Sequence, residues 1–213
     1  MRLRGIVFFI ALIHALLFLT HFFVYGTIER FLIFDNPLSI QWTQAIFFIL
    51  SISFVGVSPF TFKFYGKVVQ TFYILSVVWL GTLYWLFWAS LWVWIIHITN
   101  RIVDPGTELS QTTISWIYIL SLIVSTYGLW NSRRTKVKHV DVFIKNLPLP
   151  WHNRKAVLVS DTHLGNVRGV SYIEKVSALI QDLKPDIVLM AGDYYDGTIG
   201  DLDKLAKPFA AIN

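Results

Sequence analysis

The 213-residue chain contains no cysteine. Disulfides, zinc ribbons and thiol catalysis are thereby excluded. Charge is scarce as well: charged residues make up 15% of the chain, whereas globular proteins average about a quarter. A soluble domain with so few charges would be unusual, and the rest of the composition points the same way. Hydrophobic residues reach 55% and aromatic residues 16%, and aromatics gather where a bilayer meets water. The net charge of +5 could suggest nucleic acid, but the positive residues flank apolar runs instead of covering a polar surface. That placement fits membrane topology, so no nucleic-acid partner is expected.

What is abundant is long apolar runs. Residues 5–25 carry no formal charge and follow Arg2 and Arg4. The run is too long for a signal-peptide core and lacks a small-residue cleavage site. It matches the roughly 20 residues a helix needs to cross the hydrocarbon layer. Residues 42–60 form a second run, closed by Pro59, and residues 112–130 a fourth. The third, 68–99, is interrupted only by Gln70 and small polar residues. No charged or proline-bearing turn stands at Gly81, so one long helix is expected that tilts or protrudes. Residues 1–131 therefore read as a four-helix transmembrane anchor with the lipid bilayer as its partner.

Basic residues set the orientation. Arg2 and Arg4 precede the first run, Lys63 and Lys67 lie between the second and third, and Arg133, Arg134, Lys136 and Lys138 follow the fourth. The other two loops carry only Arg30 and Arg101, among Glu29, Asp35, Asp104 and Glu108. Both termini are accordingly placed on the cytoplasmic side of the cell membrane, with residues 132–138 as a basic juxtamembrane linker.

From His139 the pattern changes. Val140, Val142 and Ile144 alternate with Asp141, Phe143 and Lys145, as in a half-buried strand. Residues 156–160 (AVLVS) and 187–191 (IVLMA) are short continuous apolar runs, as expected of strands covered on both faces. Between them, Ile173, Val176, Leu179, Ile180 and Leu183 follow helical spacing. Ser171 and Glu174 form a capping-box pattern at its start, and Lys184-Pro185 marks its end. A βαβ unit with parallel strands and a right-handed crossover follows.

Each strand of that unit ends in a polar motif. The first runs into Ser160-Asp161-Thr162-His163-Leu164-Gly165, the second into Gly192-Asp193-Tyr194-Tyr195-Asp196-Gly197. Open parallel sheets bind ligands outside the carboxyl ends of their strands. Neighbouring strands lie about 4.8 Å apart, so Asp161 and Asp193 can reach one cation there, with the His163 imidazole beside them. Mixed oxygen and nitrogen donors suit Mn, Fe or Zn better than Ca. Two such ions about 3.5–4 Å apart can clamp a phosphate ester through an in-line displacement.

These two motifs resemble the first two of the calcineurin-like metallophosphoesterases, written D-x-H and G-D-x-x-D/G, and the chain looks most similar to that family's membrane-attached bacterial branch. The resemblance implies that Asp161 and His163 bind one metal and that Asp193 bridges two. It implies an α/β metallophosphoesterase domain over residues 139–213, preceded by the multi-span helical membrane domain. It also implies a hydrolase of phosphoric esters, with a phospholipid or lipid-linked phosphate as a substrate suited to a membrane anchor. The family's Gly-Asn-His-Asp/Glu and Gly-His-x-His motifs do not occur in these residues. The expectation is a truncated domain, with the catalytic Asn-His motif beyond Asn213 and little activity by itself.

Plainer roles compete. Asp after a strand often caps a turn, but that leaves the matched positions and His163 unexplained. For Asp196 the turn reading is preferred, since Asp-Gly is a common turn pair. His139 and His152 read as ordinary strand-edge and loop residues. His14 and His21, seven apart on one helix face, and His97 raise the alternative of a helical bundle with its own His-bound cofactor, because ionisable residues within membranes mark functional candidates. A non-catalytic membrane sensor or scaffold is the other alternative. Trp85, Trp88 and Trp92 form a stripe better suited to packing or lipid contact than to a cofactor.

Overall fold

The computed structural model describes residues 2–32, 36–64, 66–197 and 201–211. Asp35, counted above among the loop charges, lies outside them. Four helices come first: α1 (Arg2–Leu32), α2 (Pro37–Thr61), α3 (Lys67–Val103) and α4 (Gln111–Ser132). All four are long and apolar enough to cross a membrane. The chain is thus a membrane protein with a short α/β region after its helices. Each helix outruns its apolar core. α2 begins at Pro37, where a proline fits the first turn because its missing N–H would be unpaired anyway, and it continues past Pro59 to Thr61. α3 is unbroken through Gly81; its 37 residues span about 55 Å at 1.5 Å per residue, well beyond a hydrocarbon layer of about 30 Å.

By its contacts the chain divides into two compact units, Met1–Pro59 with Leu75–Arg133, and Phe60–Ile74 with Arg134–Asn213. Residues 60–74, assigned to the anchor from sequence, therefore cluster with the α/β region.

In the helical unit, Val24, Leu83, Leu86, Ala89, Val93, Ile114 and Tyr118 form the core. Lipid tails are as apolar as leucine, so the hydrophobic effect cannot by itself hold such helices together, and polar contacts between them matter more. α1 meets α3 through Trp79 Nε1, which donates to His21 Nε2 at 2.8 Å, and through Trp94 Nε1, which donates to Thr27 Oγ1 at 3.0 Å. α3 meets α4 through the Ser90–Tyr118 hydroxyl pair at 2.8 Å and the Thr82–Ser125 pair at 3.1 Å. The outward surface is apolar, and Trp85, Trp88 and Trp92 are exposed on it, as lipid contact requires.

In the second unit, β1 (Ala156–Val159) and β2 (Ile187–Met190) pair in parallel, with Ala156 opposite Ile187 and Val159 opposite Met190. α5 (Val170–Leu183) makes the crossover, and a short α6 (Leu202–Ala206) follows. Ile173, Val176 and Ile180 of α5 join Leu164 and Leu205 in a buried cluster, against which Val157, Val159 and Val188 pack. The register is pinned at the start of the strands. Asp186 accepts from the Lys155 amide at 2.8 Å and from Arg154 Nη1 at 2.5 Å, while Lys155 Nζ donates to the Leu183 carbonyl at 2.8 Å.

Three local expectations are corrected. The strands are covered on one face only: Leu158 and Leu189, which point away from α5's side of the pair, are exposed. Residues 140–144 form no strand, and Phe143 is 96% exposed. A strand exists through its ladder, and among the described residues β1 and β2 pair only with each other. Finally, α5 starts two residues earlier than the capping-box pattern indicates. Gly169 is its N-cap, with no side-chain cap bond, and its carbonyl accepts from Tyr172 and Ile173. At the other end Lys184 adopts φ 47° as the C-cap, the left-handed turn with which helices commonly close, and Pro185 cannot extend the helix.

Candidate metal centre

The strands deliver their polar motifs to one place. The ladder continues past the strand ends, with the Ala191 amide donating to the Val159 carbonyl at 2.9 Å, so both chains leave the sheet side by side. Each then turns through left-handed conformations: Asp161 has φ 55°, His163 45°, Gly192 90° and Asp193 52°. Gly192 bears this without penalty, having no Cβ. For the other three residues such a backbone costs about 1–3 kcal/mol apiece and persists only where the surroundings over-determine it.

Here the surroundings do. The His163 amide donates to the Asp193 carbonyl at 3.2 Å, the Leu164 amide to Tyr194 at 2.6 Å, and the Asp196 amide back to Leu164 at 3.0 Å. Buried Thr162 adds an Oγ1 bond to the Tyr194 carbonyl at 3.1 Å. Arg168 Nη1 donates to the carbonyls of Asp161 at 3.0 Å and Thr162 at 3.2 Å, and its guanidinium lies over the Tyr172 ring at 4.9 Å. The strain is held in place by a mesh of backbone bonds between the two loops.

Within this mesh the side chains of Asp161, His163 and Asp193 converge. One donor atom from each lies within 4.8 Å of the others, and all three residues are exposed. His163 Nε2 is 3.2 Å from Asp193 Oδ2 and 4.0 Å from Asp161 Oδ1. Two donors on one ion, each about 2.0–2.2 Å from it, stand at most about 4.2 Å apart, so both measured pairs fit a single cation. The donor set, two carboxylates and one imidazole, also suits a hard-to-borderline divalent ion. The three residues singled out from sequence are therefore the three that the fold brings together.

Asp196 departs from its simple turn reading. Its Oδ2 accepts from the Asn166 amide at 3.2 Å, and its carboxylate occupies the space a Cβ on Gly165 would need. It clasps one loop to the other. The sequence signal, an Asp-Gly pair, is the same for a turn as for a clasp. Thr162, Asn166 and Arg168 were likewise missed as fasteners, because their roles depend on loop carbonyls and amides whose directions no side-chain pattern records.

The histidines of the helices behave differently. His21 is 2% exposed. Its Nδ1 lies 2.7 Å from the Leu17 carbonyl, which can only accept, and its Nε2 faces the Trp79 indole, which can only donate. Both ring nitrogens are thus committed in one neutral tautomer, and no lone pair is left for haem or metal. His97 packs edge-on against Phe31 and Trp94, at centroid distances of 5.0 and 5.9 Å. The His-bound cofactor loses its central ligand. His152, as expected of a loop residue, bonds to the Leu147 carbonyl through Nε2 at 2.8 Å.

Carboxylates and an imidazole at the carboxyl ends of paired parallel strands stand where open α/β sheets bind ligands, which defines the class: an α/β region with a candidate metal site. Comparison narrows it. Residues 154–213 match the family model described as calcineurin-like phosphoesterase. The chain is 32% identical over 95 residues to a transmembrane protein with metallophosphoesterase domain of Danio rerio, covering 44% of this chain and 22% of the relative. A metallophosphoesterase of Aquifex aeolicus is 39% identical over 59 residues, 28% of this chain and 23% of that protein. One of Campylobacter jejuni is 27% identical over 139 residues, 62% of this chain and 36% of that protein. The relatives thus include both animal and bacterial proteins, and the chain spans about a fifth of the first of them. No solved structure matches the chain.

Proposed function

We propose that the chain carries the first metal-binding half of a membrane-anchored phosphoesterase centre, in which Asp161 and His163 hold one divalent ion and Asp193 bridges to a second. The observation that carries this reading is the convergence of these three side chains, within 4.8 Å, at the ends of two parallel strands. Ions of the Mn, Fe or Zn kind, when bound, supply Lewis acidity toward a phosphate ester. The protein's part is to hold them: two carboxylates neutralise the charge, and the strained loops fix the donors before an ion arrives. Three donors are fewer than two ions require, so these 213 residues by themselves are expected to bind metal weakly and to hydrolyse phosphoesters negligibly.

The substrate class that fits the anchor is an amphiphilic phosphate ester, a phospholipid or a lipid-linked phosphate. The unit that contains the three donors also contains residues 60–74, where Phe60, Phe62 and Phe64 are exposed. Exposed aromatics beside Lys63 and Lys67 suit the headgroup region of a bilayer. The alternating basic residues support a cytoplasmic side for this face and for both termini.

Titration of the lipid-reconstituted chain with Mn2+, followed by electron paramagnetic resonance, tests the reading. Binding is expected in the wild type and is expected to fall at least about a hundredfold in Asp161→Asn or Asp193→Asn, beyond the effect typical of residues that merely support a ligand. Equal binding by wild type and variants would refute it.

A further inference from the structure

The bonds described above that fasten the two ligand loops come from residues 161–168 and 193–196, and one more comes from outside them. Gln70, in the first turn of α3, donates from Nε2 to the carbonyl of Asn166 at 2.8 Å, across 96 positions of sequence. Both residues lie in the same compact unit. Tyr73, on the same helix face three residues on, is close enough to Asp196 to feel its charge.

The residues that α3 meets are not incidental ones. Asn166 is 1% exposed, lies three positions after His163, and its amide is held by the Asp196 carboxylate. Asp196 in turn bonds through its own amide to the carbonyl of Leu164, the neighbour of His163. A path of hydrogen bonds therefore runs from Gln70 through Asn166 and Asp196 to the turn that carries His163 and, through His163's amide, to Asp193. Gln70 is also the only glutamine in α3, between Val69 and Thr71 in an otherwise apolar stretch. Its carboxamide is paired by the loop carbonyl.

We propose that Gln70 is a positioning residue of the metal centre, a part of α3 that fixes the Asn166 carbonyl and so keeps the loop 161–166 in the turns that bring Asp161 and His163 to Asp193. The first turns of a membrane-spanning helix then belong to the metal centre. This inference rests on the metal reading above.

The test uses the whole chain in lipid nanodiscs, with Mn2+ affinity read by paramagnetic resonance and the ligand field read from the visible spectrum of bound Co2+. Gln70→Leu removes the donor and keeps a helix former. It is expected to weaken Mn2+ binding about three- to tenfold, at the low end for outer-sphere support, to shift the Co2+ bands, and to lower hydrogen-exchange protection of amides 163–166 while leaving α5 unchanged. Gln70→Met, of similar length, is expected to repeat the effect and guards against a packing artefact of leucine. Thr71→Val is expected to change none of these, since the Thr71 hydroxyl bonds, among the described residues, to the Lys67 carbonyl of its own helix. Loss of Mn2+ binding in Asp161→Asn with wild-type affinity and bands in both Gln70 variants overturns the inference alone. Binding untouched by Asp161→Asn overturns the metal reading and the inference together.

Discussion

His21 and His163 are the same residue in two regions of one chain, and their surroundings have opposite logic. In the helical unit His21 is buried, with both nitrogens spent on Leu17 and Trp79. In the α/β unit His163 is about half exposed and stands between two carboxylates with a nitrogen 3.2 Å from one of them. Polar groups facing lipid or an apolar core have no water to fall back on, and the bundle pairs His21 with Trp79, Thr27 with Trp94 and Ser90 with Tyr118. The ligand loops do the reverse. They bond one loop's backbone to the other's, leave the side chains of Asp161, His163 and Asp193 exposed, and accept backbone strain to do it. A histidine becomes a structural hydrogen-bonding partner or a ligand-ready donor according to whether its lone pair is already committed.

Three changes would sharpen or break this contrast. The largest effect is expected from Gly165→Ala. The new Cβ would collide with the Asp196 carboxylate, and forcing a side chain into filled space costs about 1–3 kcal/mol. Mn2+ affinity should drop about tenfold, as for other supports of metal ligands; an unchanged titration would show that the clasp is dispensable. Trp79→Phe comes next. It strands the His21 nitrogen inside the bundle and should cost about 0.6 kcal/mol, with an upper range near 1.7, as measured for hydrogen bonds between membrane helices. Unfolding of the reconstituted protein in detergent would read that loss, and Mn2+ binding should not move. A Mn2+ effect from Trp79→Phe would break the separation of roles.

The smallest effect concerns pH. The Lys155 amide, then the Arg154 guanidinium, hold the Asp186 carboxyl below its ordinary value of 3.8. A carboxyl lowered on folding contributes stability that is complete above its unfolded value and lost as pH falls through the folded one. Protection of the Lys155 amide from hydrogen exchange should therefore be flat above pH 4 and fall below it. Asp186→Asn should remove that step, while protection within α3 stays constant across the range.

Much of the chain could be read without coordinates, because the signals are local. Apolar length marked all four membrane helices, and the unbroken third run correctly implied one helix through Gly81. The two short apolar runs and the 3,4 spacing of Ile173, Val176 and Ile180 implied the βαβ unit, and its topology brought Asp161 and Asp193 to the same end of the strands. What failed was equally physical. Alternation at residues 140–144 looks like a strand, but a strand also needs a partner, and pattern carries no partner. Ser171 and Glu174 look like a cap, yet Gly169 starts the helix because the loop bonded through Gly165 and Arg168 delivers the chain there.

By itself the sequence determined the four apolar helices, the βαβ unit and the identity of the three ligand-type side chains. Hydrophobic length and strand-end position depend on residues close together in the chain. Only the tertiary structure decided that His21 is committed to Trp79, that Asp196 clasps Asn166 and that Gln70 reaches the Asn166 carbonyl. Those outcomes depend on the direction of one backbone amide or carbonyl and on a partner tens of residues away. Direction and distance of that kind arise only when the chain has folded.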